Sequence, residues 1–391
     1  KVIIKFEEMK IPLTTDQLSK LETYEDDYTE LTDWFKKNGF KKVFELSKFL
    51  KFPVFKEVGL NRQLLRSWAG RKILSELSNT IIVPNDKDGI EVFNTIENLL
   101  EVKKEISTLE IIEALPSEEI LLDIDNLILI ISSWKKELIK QQNLTSNLNE
   151  LKKTTSESYK TNQNKFNLDI DKVEKKIYSL HRSKPLKIEL WKSNKEFPDK
   201  ELIIFMPGLG GDINNFEWIG KELSRRGWPV VFIDHFGTNS KTFSEVIEGN
   251  EVIPGGADFF LYRIKDLAAV IDAHRNGKFG LANDSYILMG HSLGALIALL
   301  YENNIPIEGI ENRCDLALTD FAVTNPSKLL QCQLSKIPFP NKNKTKQATA
   351  IIGFNTFGSL IWPEETSSAI DVPILLIGGT YDLITPLIAE Q

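Results

Sequence analysis

The pentapeptide Gly290-His291-Ser292-Leu293-Gly294 has the spacing Gly-x-Ser-x-Gly, which is typical of an activated serine. It follows the apolar run Ile287-Leu288-Met289 and precedes a segment rich in alanine and leucine, which predicts a sharp turn from a strand into a helix. Such a turn strains the serine and keeps it accessible, and the helix N-terminus stabilises negative charge that develops there. We predict that Ser292 is a nucleophile; the alternative is a glycine-rich turn without chemistry.

A second glycine-rich segment, Pro207-Gly208-Leu209-Gly210-Gly211-Asp212, follows the apolar run Ile204-Phe205-Met206. Acyl transfer creates an oxyanion, which two backbone N–H groups usually stabilise. One belongs to the residue after the nucleophile, and the other to a loop after an earlier strand. We therefore predict that the N–H groups of Leu209 and Leu293 form an oxyanion hole. The alternative is a phosphate-binding loop, but the segment lacks the glycine spacing and the lysine of the usual phosphate-binding motifs.

A third candidate, Asp382, follows Gly378-Gly379-Thr380-Tyr381 and the apolar run from Pro373 to Ile377. An acid at the end of a later strand is where a serine nucleophile of this topology finds its triad carboxylate. Asp382 would then hold a histidine in the right tautomer and stabilise its protonated form. The alternatives are an aspartate that only shapes a turn, and Asp320 as the acid, because residues 316–319 also fit a strand.

No histidine occupies the expected place for a general base. The chain order should be serine, acid, histidine, but all four histidines, His181, His235, His274 and His291, precede Ser292. His291 adjoins the nucleophile and cannot turn back onto it. We expect a core or rim role for His235, which lies at a strand end, and a solvent-facing or capping role for His274, which lies late in a helix. We expect the catalytic histidine to be absent from this chain and to lie beyond Gln391.

The hydrophobic pattern predicts three segments. Residues 1–115 show helical spacing and predict a small all-helical domain, and residues 116–166 predict a long helix and a polar linker. Residues 167–391 alternate short apolar runs with helical segments, which predicts a mostly parallel sheet with helices on both faces. Together with the serine turn at Gly290–Gly294, this predicts the α/β-hydrolase fold. The long connection at residues 303–346 is a candidate lid, with a surface excursion as the alternative.

Composition excludes several classes of protein. The 391 residues carry a formal net charge of −7, with basic and acidic residues interspersed, which gives no reason to expect nucleic acid as a partner. No apolar run is long enough to cross a membrane. Two cysteines, Cys314 and Cys332, are too few for a usual zinc site, and the chemistry predicted above needs neither a metal nor an organic cofactor. One disulfide between them is an option, although two free thiols are the more frequent outcome.

The motifs together resemble a known group. The segments Pro207–Asp212, Asp234–Gly237, Gly290–Gly294 and Gly378–Pro386 occur in the order found in cyanobacterial dienelactone-hydrolase-like or lipase-like proteins, which are related to platelet-activating-factor acetylhydrolases. The segment Leu64–Arg71 resembles the helical domain of unknown function that precedes the hydrolase in that group. The resemblance implies a Ser-Asp-His triad in which Ser292 and Asp382 take the first two places.

The resemblance also implies a location. The sequence begins with Lys1 rather than methionine, from which we expect either a cleaved signal peptide or a fragment. Members of the group often carry a signal peptide, so we expect a periplasmic or secreted protein, with a cytoplasmic one as the alternative.

The favoured function is hydrolysis of a carboxylic ester with a small, lipid-like or otherwise apolar substrate, through an acyl-enzyme on Ser292. Two alternatives stay open. A chain that truly lacks the histidine would fit a catalytically inactive binding or regulatory protein. An acyltransferase or a lyase could use the same turn, because a fold does not fix a reaction.

Overall fold

The computed structural model divides the chain into two compact units, one built on Lys1–Trp134 and the other on Lys135–Glu245 with Glu251–Gln391. It describes residues 2–6, 8–19, 50–51, 53–56, 78–86, 89–103, 105–154, 168–242, 258–302, 309–317, 326–337, 348–363, 372–380, 382 and 385–390. None of the helices in these ranges is both long and apolar enough to cross a membrane.

The first unit contains strands as well as helices. Its described elements in chain order are β1 (Val2–Phe6), β2 (Met9–Leu13), α1 (Thr15–Ser19), β3 (Pro53–Lys56), β4 (Ile81–Ile82), α2 (Ile90–Val102), β5 (Glu105–Ser107), α3 (Thr108–Ala114), β6 (Ile120–Asp123) and the beginning of α4 (Ile124–Thr154). Four strands form a sheet in the order β2-β1-β6-β4, in which only the β1–β6 pair is parallel. β3 and β5 form a separate antiparallel pair.

The prediction of an all-helical N-terminal domain is therefore wrong. Alternate residues of β1, Val2 and Ile4, are fully buried, which is the two-residue period of a strand rather than a helix. Much of the helical spacing that supported the prediction lies between residues 20 and 77, largely outside the described residues. The chain changes from strand to helix after Asp123: β6 ends there, and the Asp123 carboxylate accepts a hydrogen bond from the Asn126 N–H (3.2 Å) at the start of α4.

The second unit is a seven-stranded sheet with helices between its strands. The strands are β7 (Ile170–Ile177), β8 (Leu186–Ser193), β9 (Leu202–Met206), β10 (Val230–Asp234), β11 (Tyr286–His291), β12 (Ala350–Phe354) and β13 (Ile374–Ile377). The helices after α4 are α5 (Glu217–Arg225), α6 (Asp258–Arg275), α7 (Leu293–Glu302), α8 (Ile310–Ala317), α9 (Pro326–Gln333) and α10 (Leu387–Glu390). Short 3-10 turns occupy Ile213–Phe216 and Leu334–Lys336.

The strand order in this sheet is β13-β12-β11-β9-β10-β8-β7. β7, β8 and β10 pair antiparallel, whereas β10, β9, β11, β12 and β13 run parallel. The carboxyl ends of the parallel strands therefore meet at one edge of the sheet. The alternation of strand and helix that the sequence predicted is confirmed.

Both faces of the sheet are covered, which explains why β9 is apolar throughout its length. Phe205, Phe232 and Met289 lie on one face and belong to a cluster with Ile219 of α5. On the other face α7 lies so close that a β-carbon on Gly353 would stand 3.3 Å from Ala295. The predicted mostly parallel sheet with helices on both faces is confirmed.

The candidate lid at residues 303–346 is described over residues 309–317 and 326–337. A disulfide joins Cys314 of α8 to Cys332 of α9 across 18 residues of sequence. The expectation of two free thiols is therefore wrong, because the packing of α8 against α9 brings the two sulfurs together. Whether this segment serves as a lid stays a prediction.

A buried carboxylate connects α9 to the end of β12. Glu390 of α10 accepts hydrogen bonds from the side chains of Ser327 (2.7 Å) and Gln331 (2.9 Å) in α9. It also accepts hydrogen bonds from the backbone N–H groups of Gly358 (3.1 Å) and Ser359 (3.2 Å). Four donors offset the cost of burying this charge, so α9 is fixed to the loop that follows β12.

β13 differs from the other parallel strands in its exposure. Leu375, Leu376 and Ile377 expose 54%, 37% and 41% of their surface, although consecutive residues point to opposite faces. β13 is also the last strand at its side of the described sheet. Both faces of this edge strand are therefore apolar and open.

Candidate active site

Ser292 lies at a sharp turn between β11 and α7, as the sequence predicted. Its φ angle is +50°, in the left-handed region that non-glycine residues rarely adopt. The Ser292 N–H donates to the carbonyl of Phe354 at the end of β12 (2.8 Å), and its own carbonyl accepts from the Leu296 N–H in α7 (3.1 Å). A strained conformation held from both sides at a partly exposed serine is typical of a functional site.

The two glycines that flank Ser292 are required by space. A β-carbon on Gly294 would stand 2.0 Å from the carbonyl oxygen of Met206, and one on Gly290 would stand 2.4 Å from the backbone of Gly294. Both contacts are with main chain, which cannot move aside cheaply. The glycines therefore allow α7 to approach β9 and β11 closely enough to form the turn.

The glycine loop after β9 lies directly against the serine. A β-carbon on Gly208 would stand 3.2 Å from the Ser292 β-carbon and 3.0 Å from the His291 ring. The Gly210 N–H donates to Thr238 O (2.9 Å) and the Gly211 N–H donates to Gly208 O (3.2 Å), so both of these amides hold the loop together.

The two amides predicted to form an oxyanion hole are available for a ligand. Within the part of the chain that the structure describes, neither the Leu209 nor the Leu293 N–H donates a backbone hydrogen bond. Leu293 is the first residue of α7, where an amide has no partner inside the helix. An N–H group without a backbone partner next to a strained serine can donate a hydrogen bond to a developing oxyanion.

Asp382 lies at the same edge of the sheet, because it follows β13 and β13 runs parallel to β12 and β11. Its carboxylate accepts hydrogen bonds from the Asn355 side-chain amide and from the Thr385 N–H (3.0 Å). The Gln141 side chain holds its backbone carbonyl (3.1 Å). Asp382 thus follows a parallel strand of this sheet, but its role as the triad acid stays a prediction, and Asp320 lies outside the described residues.

Asn355 connects Asp382 to the turn that carries Ser292, and sequence analysis did not identify it. It follows Phe354, whose carbonyl binds the Ser292 N–H, and its own N–H donates to Ile377 O (2.8 Å). Its φ angle of +48° is one that asparagine tolerates better than most residues. Its position directly after a predicted parallel strand was the available signal, because the carboxyl ends of such strands share an edge.

The strand order, the strained serine turn and the acid after the last parallel strand decide the architecture. The second unit has the α/β-hydrolase fold.

Comparison with known families agrees with this fold. Residues 1–123 match a family described as an alpha/beta hydrolase of unknown function (DUF1400). Residues 198–309, which contain the glycine loop and Ser292, match the family described as serine aminopeptidase, S33. No curated protein resembles the chain closely enough to count as a match.

Solved structures similar to the chain include two hydrolases. The dienelactone hydrolase of Anabaena variabilis is 15% identical, with a TM-score of 0.34 over 55% of this chain and 76% of that protein. Esterase 2 of Thermogutta terrifontis is also 15% identical, with a TM-score of 0.35 over 55% of this chain and 74% of that protein.

The four histidines of the chain all lie in its described part, and none is hydrogen-bonded to the Ser292 hydroxyl. The His291 ring lies 5.4 Å from the Phe216 ring, and burial lowers its pKa although the Asp382 charge acts in the other direction. His274 is buried and lies 3.2 Å from the carbonyl of Ser285, so the expectation that it faces solvent is wrong, whereas the expected core role of His235 is confirmed.

His235 and Asp266 form a buried network behind the glycine loop. The Asp266 carboxylate, which is fully buried, accepts from the Arg182 Nε (2.6 Å) and lies 2.9 Å from His235 Nδ1 and 2.8 Å from His181 Nε2. Burial raises the pKa of Asp266, but the hydrogen bonds from His235 and Arg182 outweigh it and lower that pKa to about 2. The ionised carboxylate must accept, so Nδ1 of His235 carries the proton.

Protonation of His235 is unfavourable in the folded protein. Its Nε2 is buried and has no hydrogen-bond partner among the described residues. Burial, together with the positive charge of Arg263, lowers the pKa of His235 to about 4. His235 is therefore neutral at physiological pH and its second nitrogen does not reach a partner.

This network predicts loss of stability in mild acid. His235 in the unfolded chain takes up a proton near pH 6.5, whereas the folded protein resists until about pH 4. The free energy of unfolding should therefore fall as the pH drops from 6.5 to 4, by up to about 3 kcal/mol from this residue. His235→Asn, which keeps a donor for Asp266 and does not titrate, should flatten the curve of denaturant midpoint against pH. An unchanged curve would show that His235 does not carry the effect.

A cavity of about 710 Å³ lies next to the far end of the glycine loop. Gly211, Asp212, Asp234 and Ser240 line it together with residues of β7 and β8, whereas Ser292 and Asp382 do not. It is therefore not the space in which the serine would react. Among the described residues, no three histidine, cysteine, aspartate or glutamate side chains are grouped as they would be around a metal ion.

Proposed function

We propose that the protein is a serine hydrolase that cleaves carboxylic esters through an acyl-enzyme on Ser292. The observation that carries the proposal is the strained Ser292 turn, with the unused amides of Leu209 and Leu293 beside it. Asp382, held by Asn355 and Thr385, orients the general base.

The reaction has two halves. Ser292 Oγ attacks the carbonyl carbon while the base takes its proton, and the resulting oxyanion accepts from the two amides. The alcohol leaves with that proton, and an ester forms on Ser292. Water then attacks this ester by the same route, which releases the acid and restores the serine. The base that this reaction needs is a histidine, and none of the four in residues 1–391 is hydrogen-bonded to the Ser292 hydroxyl.

The substrate is a small molecule with an apolar, lipid-like acyl group. The resemblance of the motifs to lipase-like proteins supports this proposal, whereas Leu329, Leu334 and Ile337 in the described part of the candidate lid are buried in the core. The family match to serine aminopeptidases favours an amide bond as the competing substrate. The relation to platelet-activating-factor acetylhydrolases and the cyanobacterial origin stay predictions.

A catalytically inactive binding or regulatory protein is the second candidate. The observation that favours it is that none of the four histidines contacts the Ser292 hydroxyl in the described structure. An acyltransferase or a lyase that uses the same serine would differ from a hydrolase only in the acceptor.

We also propose a periplasmic or secreted location. The disulfide between Cys314 and Cys332 supports it, because disulfides persist in oxidising compartments. A cytoplasmic protein would keep both thiols reduced.

The proposed function predicts that a fluorophosphonate probe modifies Ser292 and no other serine. Mass spectrometry of the labelled protein should locate the adduct, and Ser292→Ala should abolish it. Ser240→Ala is the matched control, because Ser240 is a partly buried serine at the same edge of the sheet.

Substrate class is then decided on p-nitrophenyl esters of increasing acyl length and on amino-acid p-nitroanilides. With added imidazole, or in a longer chain that carries the histidine, we expect turnover of the esters only. Under the same conditions, an unlabelled Ser292 would contradict a serine enzyme, whereas labelling with turnover of the anilides alone would contradict the ester specificity.

A further inference from the structure

Arg263 is an arginine in the middle of α6 that is only 1% exposed. Burial of a guanidinium is unfavourable unless its donors are satisfied. Its Nη1 donates to Pro207 O (2.6 Å), its Nη2 to Gly208 O (2.9 Å), and its Nε to the Thr238 hydroxyl (2.8 Å). Its partners are thus mainly two consecutive carbonyls of the glycine loop.

These two hydrogen bonds fix the orientation of a peptide plane. In a trans peptide the carbonyl of one residue and the N–H of the next point in opposite directions. Because the Gly208 carbonyl points to Arg263, the Leu209 N–H must point away from it. Gly208 itself lies against Ser292, because a β-carbon added to Gly208 would stand 3.2 Å from the Ser292 β-carbon.

We propose that Arg263 is a positioning residue that sets the direction of the Leu209 N–H toward the oxyanion formed on Ser292. The inference rests on the proposed function. A positive charge on the carbonyl side also polarises the peptide, which makes its N–H a stronger donor. Arg263 acts through the loop and does not touch the substrate.

Thr238 binds both Arg263 and the glycine loop. Its hydroxyl accepts from Arg263 Nε, and its carbonyl accepts from Arg263 Nη2 (3.2 Å) and from the Gly210 N–H (2.9 Å). Arg263 and the loop therefore share one anchor after β10. On the next turn of α6, Asp266 binds Arg182 and so holds the helix in place. The sequence contains one signal for Arg263 and Asp266: their side chains carry opposite charges and lie three residues apart, beside the apolar stripe of α6.

The test compares Arg263→Lys and Arg263→Ala with the matched control Arg182→Lys. Arg182 is also a largely buried arginine, but it binds Asp266 and Phe236 O rather than the glycine loop. We expect both Arg263 variants to lower kcat, or the rate of Ser292 labelling per folded molecule, by roughly 10- to 100-fold, with KM within about twofold. Arg182→Lys should lose stability without this loss of rate.

The measurement uses whichever form of the chain, 391 residues or longer, labels Ser292 faster. Methylguanidinium should restore part of the rate to Arg263→Ala. If the Arg263 variants do not fold, Thr238→Val, which removes one acceptor, should show a smaller loss in the same direction. Labelling of the parent at Ser292 with no change in any of these variants would overturn the inference alone. No labelling of the parent at all would overturn the proposed function and this inference with it.

Discussion

Gly294→Ala should leave the hydrolase unit largely unfolded. The added methyl group would stand 2.0 Å from the Met206 carbonyl oxygen and 2.8 Å from the Pro207 carbonyl oxygen. Both oxygens belong to the main chain and cannot move aside cheaply. Relief requires α7 to move away from β9, which opens the core between them. We expect the free energy of unfolding to fall by roughly 4 kcal/mol or more, a large part of the roughly 5–15 kcal/mol that stabilises a domain.

Gly277→Ala is the matched control for this change. Gly277 has a positive φ angle of +70°, but a β-carbon there would meet nothing within 4 Å. It should therefore cost only about 1–2 kcal/mol of backbone strain. Urea unfolding followed by circular dichroism measures both variants. Equal denaturant midpoints would show that α7 and β9 are not as close as described.

The second large effect concerns the general base. With no histidine hydrogen-bonded to it, the Ser292 hydroxyl has no acceptor for its proton at neutral pH. The oxyanion hole and substrate binding alone then accelerate hydrolysis by roughly 10³–10⁴ over the reaction in water. The 391-residue chain should hydrolyse p-nitrophenyl esters barely above background. Added imidazole should raise the rate by at least about tenfold, because a positioned base contributes about 10²–10⁴.

The controls separate rescue of the site from reaction in solution. Ser292→Ala should show only the reaction of imidazole with the ester in buffer. Asp382→Asn should bind imidazole without fixing the tautomer that accepts the Ser292 proton. Its rate of ester hydrolysis should therefore rise less with imidazole than that of the parent. A chain extended beyond Gln391 by a segment with a histidine in place should hydrolyse the ester without imidazole. Fast hydrolysis by the 391-residue chain alone, lost in His235→Asn, would instead identify His235 as the base.

The strands of the hydrolase unit could be predicted because each is a short apolar run closed by a turn. Leu202–Met206 is apolar at every position, which only a strand covered on both faces requires. The same logic placed Ser292 and Asp382 at one edge, since parallel strands end together. Sequence was therefore sufficient where a residue's position along a strand decides its place in space.

The N-terminal strands, Asn355, Arg263 and the disulfide were not predicted, for a different reason. β1 is only five residues long and pairs with β6, more than a hundred residues away. Arg263 looks like a solvated helix residue until the glycine loop is folded against it. The pairing of Cys314 with Cys332 depends on how α8 packs on α9. Each of these features is set by a distant partner that spacing along the chain does not contain.

The exposed edge strand β13 leads directly to Asp382 and is also a surface on which another strand can pair. A strand edge with free backbone groups and apolar side chains on both faces is a template for pairing with another strand. Any segment or partner that adds a strand to β13 would bury Leu375 and Ile377 and stiffen the chain that leads to Asp382. Formation of a quaternary contact and organisation of the acid would then be thermodynamically coupled, so that concentration or a binding partner could regulate the nucleophile through the sheet.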